Sequence, residues 1–161
     1  MREAIVRQAY EAFRTDVERT PIISLRGGNA IDSYSSPPPY NPEVDTLTDD
    51  YLATYTFCGL GYLDAPSWRH YLPHLIAYTF RHITSLNTIA PEGLLSSLRP
   101  PDREPPRLAT LTPEQETVIV AFLEVLAFSD DTRLYQEDAM QILDEWWLPN
   151  ARYRNRPDQS R

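Results

Sequence analysis

Fifteen prolines decide where this chain can be regular. Proline fixes φ and has no backbone N–H, so it suits the first turn of a helix and breaks an interior. Two clusters, SYSSPPPYNPEVDT at 33–46 and RPPDREPPR at 99–107, are therefore read as proline-rich surface loops. The blocks between them carry a helical period. In 2–19, Ile5, Ala9, Phe13 and Val17 recur every four residues until Pro21 ends the run. PIISL at 21–25 reads as a short extended run, and Gly27 with Gly28 as a chain break. In 47–57, Thr48 caps a helix with Asp49 and Asp50 in the first turn, where the helix dipole favours them.

Asp64 and Pro66 then open a helix that has Pro73 inside it and all three histidines, and Pro91 starts a short helix at 91–98. The best-marked helix is 112–128. Thr112 is its cap, Pro113 its first residue and Gln115 the partner in a capping box. Its apolar face is Val118, Ile119, Phe122, Val125 and Leu126. A second amphipathic helix at 133–147, stopped by Pro149, follows a short turn and is expected to pair with it antiparallel. No strand-like alternation and no repeat is found. The expectation is an all-α single domain over 1–150, of five or six helices around one core, followed by a basic tail at 151–161.

Composition narrows the function. At 42% hydrophobic the chain can build a core. A net charge of −8 argues against a nucleic-acid or anionic-membrane partner, both of which need a basic face, and suits a basic protein partner. No run of apolar residues is long enough to span a bilayer. Glu3 and Glu11 interrupt the N-terminal segment, which does not read as a signal peptide. Cys58 is the single cysteine, so it has no intrachain disulfide partner and no Cys-based zinc site can form. It carries no mark of a catalytic thiol and reads as a small buried residue. All 15 cationic side chains are arginine, which excludes Schiff-base and P-loop lysine chemistry. The five glycines form no phosphate-binding loop, since Gly59 and Gly61 are followed by Tyr62, Leu63 and Asp64. No cofactor is implied, and the expected location is the cytoplasm.

The histidines hold the main question. His70 and His74 are one turn apart, a valid spacing for two metal ligands. Tyr71, Leu72 and Pro73 lie between them, so the glutamate of an H-E-x-x-H site is missing, and a third ligand would have to be an acid such as Asp64 or Asp50. At 100° per residue, Trp68, Leu72, Leu75, Ile76, Phe80 and Ile83 gather on the core side, and His70, His74 and Arg81 fall opposite. The ridge they form, with Tyr78 and His82 at its flank, reads first as plain solvated helix surface, and otherwise as a face on which His74, Tyr78 and Arg81 bind a partner.

Trp147 points about 100° from the apolar stripe that contains Trp146. It is read as core, or else as a further partner anchor. Glu137, Asp138, Asp144 and Glu145 read as a solvated acidic face. PPPY at 37–40 fits a WW-domain ligand, with a rigid loop as the plainer reading. In the tail, Arg152, Arg154, Arg156 and Arg161 against Asp158 give +3, leaving −11 elsewhere; the tail is expected to lie on its own acidic surface.

The N-terminal helix ending near a proline, the Tyr71, Leu72, Pro73 triplet and L-T-P-E-Q at 111–115 together resemble an uncharacterised bacterial family, a domain of unknown function. The resemblance covers roughly residues 3–128. It implies a small bacterial cytoplasmic protein and supplies no activity, cofactor or catalytic residue. The expected function is a non-enzymatic interaction protein. The rival is a metal-dependent enzyme using His70 and His74 with a carboxylate.

Overall fold

The computed structural model describes residues 1–154. Within them are eight α-helices and no strand, packed as one compact domain: α1 Arg2–Ala12, α2 Arg14–Glu18, α3 Leu25–Asp32, α4 Asp49–Gly59, α5 Ala65–Arg81, α6 Ala90–Ser97, α7 Pro113–Phe128 and α8 Gln136–Ile142. The all-α class agrees with the sequence. The count of eight corrects the expected five or six, and two departures account for the difference.

The 2–19 segment is divided at Phe13, whose ring is fully buried. Backbone bonding continues across it, with Phe13 N–H donating to Ala9 and Val17 N–H to Phe13. The second departure is α3, which occupies the segment read as a break. Its glycines are a packing device. A Cβ on Gly28 would lie 2.2 Å from the Gly59 carbonyl oxygen, and one on Gly59 would lie 2.3 Å from that of Leu25. Two helices can cross at backbone contact only with hydrogen at both places. The first N–H groups of α3 are all satisfied: Gly27 donates to Ser24 Oγ, Leu25 to the Tyr71 phenol and Arg26 to the Tyr51 phenol.

Both proline-rich loops are pinned by a carboxylate. Asp45, 2% exposed, accepts two bonds from the Arg26 guanidinium, one from Tyr51 Oη and one from Asn41 N–H. Burial pushes its pKa up, but these donors outweigh that and hold it below the usual carboxylate range. Asp102 accepts from the backbone N–H groups of Arg103, Arg107, Leu108 and Ala109. The 99–107 connector is thus a folded surface loop, with Arg107 at its end buried on the Trp68 ring. Burial lowers the Arg107 pKa to about 10, with Arg103 adding to the effect.

α7 forms as written. Thr112 Oγ1 accepts from Gln115 N–H, and the Gln115 side chain accepts from Thr112 N–H. Its five expected apolar residues are buried. α8 packs on α7 but ends at Ile142, where the backbone widens into a π-turn over Leu143–Trp147. That turn shifts the register. Trp147 becomes the core residue, 3% exposed and donating to the Leu98 carbonyl, and Trp146 is only half-buried beneath Arg154. Glu145 is drawn inside as well and pairs with Arg99, which corrects its placement on a solvated face. Cys58 is exposed, contrary to its reading as buried.

Candidate functional site

The histidine ridge does not face solvent. α5 is the central helix: α1 and α2 pack on one side of it, α4 and α6 on the other. His70 is 8% exposed and its Nδ1 bonds the Asp16 carbonyl at 3.0 Å. His74 is half-buried and meets the Tyr10 hydroxyl at 2.8 Å through Nδ1, while its Nε2 is enclosed without a partner. Burial lowers the His70 pKa, against the hydrogen bonds its ring makes to backbone carbonyls. Burial lowers that of His74 to about 4, helped by His70 and Arg81. Burial also raises the Tyr10 pKa. At neutral pH the seam therefore holds a neutral imidazole against a neutral phenol.

The nearby carboxylate is committed elsewhere. Asp16 accepts from Arg69 Nε and from Gln115 Nε2, both at 3.0 Å, tying α2 to α5 and α7. Of the acids expected as a third metal ligand, Asp64 caps α5 by accepting from Ser67 N–H, and Asp50 lies exposed in the first turn of α4. Among the described residues, no three His, Cys, Asp or Glu side chains converge as a metal site would require. Tyr10 and Asp16 lie 64 and 54 residues before their histidine partners. No spacing rule in the sequence could have joined them.

The partner-binding ridge needs correction for the same reason. Tyr78 is 2% exposed, its hydroxyl on Thr88 and its ring stacked on His82. Arg81 is exposed but paired with Asp49, which His82 also reaches at 2.8 Å. Trp147 is core. His74, Tyr78, Arg81 and Trp147 do not form a continuous surface.

A surface the sequence did not single out lies on the opposite flank of α1. The C-terminal half of α1 faces the N-terminal half of α7, so the two run antiparallel, and the groove between them opens as two depressions of about 640 and 470 Å³ that share Gln8. Ala4, Ala12 and the edges of Val118 and Val125 line the floor. Phe128, 70% exposed, closes one end. Glu11, Glu114 and Glu124 form the rim; all three are exposed, and none has an ion-pair partner among the described residues. Spacing did hint at this surface, because Ala4, Gln8 and Glu11 share one side of α1.

The described part of the tail lies on acidic helices: Arg152 pairs with Asp144, and Arg154 forks onto Glu116. Arg156, Asp158 and Arg161 lie outside the described residues. No described helix is long and apolar enough to cross a membrane.

Comparison with protein families matches residues 1–151 to a family of unknown function, DUF6714, and the chain belongs to that family. No curated protein and no solved structure matches it.

Proposed function

For this member of a family of unknown function, we propose a non-enzymatic interaction protein of the bacterial cytoplasm, whose acidic surface receives a basic protein partner. The observation that carries this reading is the α1–α7 groove, where an apolar floor stays open beneath three carboxylates that have no ion-pair partner among the described residues. Elsewhere the larger polar clusters are closed within the fold. Asp16, Asp45, Asp102 and Glu145 each spend their oxygens on internal donors, and His70 and His74 meet α1 and α2 rather than a cleft. A net charge of −8 adds long-range attraction for a cationic partner.

The test is capture of partners by tagged protein at low and high salt, alongside a Glu11→Gln, Glu114→Gln, Glu124→Gln variant. A basic protein that is bound stoichiometrically, released by salt and lost in the variant supports the reading. Capture that ignores both salt and the variant removes its basis, as does no capture at all.

A further inference from the structure

The groove's dimensions and charge specify more than a basic partner. Resting on the reading above, we infer that the α1–α7 groove seats one amphipathic α-helix of the partner, of about four turns, with an apolar stripe flanked by arginine or lysine.

Length comes first. α7 has 16 residues, which is about 24 Å of helix. The two depressions lie end to end along it, from Thr112 and Glu114 to Phe128 and Ser129. A helix laid in such a trough presents anchors at i, i+3 or i+4 and i+7. A peptide that binds by β-strand addition would need an unpaired sheet edge, and the described residues contain no sheet.

Charge comes second. Glu11 lies on the α1 bank, and Glu114 and Glu124 lie on the α7 bank. Glu114 and Glu124 stand ten residues apart, about 15 Å along the helix. Cations flanking the partner's apolar stripe would meet carboxylates on both banks. The groove on the other flank of α1 differs. It is lined by Arg2, Glu3, Val6, Ala77, Phe80 and Arg81, and its two arginines already hold Asp131 and Asp49. The same charge argument disfavours a second copy of this chain, because two such grooves face to face would bring the glutamates together.

The probe is a synthetic 18-residue peptide of leucine and alanine on one face and arginine on both flanks. A control peptide has the same composition scrambled to erase the apolar face. Both are titrated into the full chain by fluorescence anisotropy, with hydrogen exchange mapping the contact. The expected result is binding of the patterned peptide with gain of helical circular dichroism, and protection of α1 and α7. Neutralising Glu11, Glu114 and Glu124 to glutamine should weaken binding roughly tenfold. Gln8→Trp, which fills the shared middle of the groove from an exposed position, should abolish it.

Equal affinity for the scrambled peptide overturns the helix seat, and so does protection on another face. Both leave the interaction reading standing, since the protein would still bind a cationic chain. Absence of binding by both peptides overturns the seat, and the capture experiment then judges the broader reading alone. Protection of α1 and α7 by self-association, seen as a dimer in sedimentation, overturns the assigned occupant.

Discussion

The two flanks of the N-terminal helices both carry polar side chains and behave in opposite ways. Toward α5, Tyr10 meets His74, His70 bonds the Asp16 carbonyl, and the Asp16 carboxylate is shared by Arg69 and Gln115. Toward α7, Glu11, Glu114 and Glu124 stand over an open apolar floor with no ion-pair partner among the described residues. Most polar groups enclosed in the first region are bonded, because a buried unsatisfied group costs about 1–3 kcal/mol; His74 Nε2 is the exception named above. Carboxylates on the second remain hydrated and cost nothing until something docks. The residues with the most suggestive chemistry therefore serve the fold, and the plain ones remain free to act.

That contrast can be broken most forcefully on α5. Tyr78→Ala removes a ring that is 2% exposed and should cost about 3–5 kcal/mol, the range for large aromatic deletions. Chemical denaturation would check it. A loss below about 0.5 kcal/mol would mean that the ridge is a surface after all.

Acid provides the next test. His74 is held at about 4 in the fold against 6.5 for a free imidazole. The unfolded chain therefore takes up the proton first, and stability falls as pH drops from about 6.5 toward 4. The full shift corresponds to about 3 kcal/mol. His74→Gln should flatten the stability profile in that window. Asp45 and Asp102, whose pKa values the fold depresses, contribute their loss at lower pH. An unchanged slope in the variant would place the proton uptake elsewhere.

A smaller effect is expected where α7 begins beside the groove. Thr112→Ala deletes one half of the capping box and should cost about 1 kcal/mol. Hydrogen exchange should localise the loss to the first turn of α7. The smallest effect belongs to the rim. Glu11→Gln, Glu114→Gln and Glu124→Gln should each change stability by less than about 0.5 kcal/mol. Only the binding of a basic helix should suffer. If these substitutions destabilise the fold as Tyr78→Ala does, the contrast between the flanks collapses.

Much of the local structure was legible in the sequence, and the reasons are local. Thr48 and Thr112 cap the helices they were expected to cap, and Asp64 caps the helix it was expected to open, since a capping hydroxyl or carboxylate needs only an N–H three residues on. The five residues named for the α7 face are buried, and the buried arc also takes in Leu123 and Ala127 because α7 packs on both α1 and α8. The α5 wheel failed because a wheel assumes one buried side. α5 is covered on two, so its polar ridge is roofed by α1 and α2. α3 was missed because Gly27 and Gly28 weaken helix propensity, while the gain that repays them is contact with Gly59, 31 residues beyond Gly28.

By itself, then, the sequence determined the helical class, the positions of the loops and caps, the acidic character and the absence of lysine chemistry. These follow from backbone geometry, side-chain charge and spacings of a turn or less. Only the tertiary structure decided which polar groups are spent inside the fold and which remain at the surface. Partnerships such as Tyr10 with His74, Arg107 with Trp68 and Gly28 with Gly59 join distant segments. Burial depends on how many neighbours a helix acquires, and no periodicity within a single helix encodes that number.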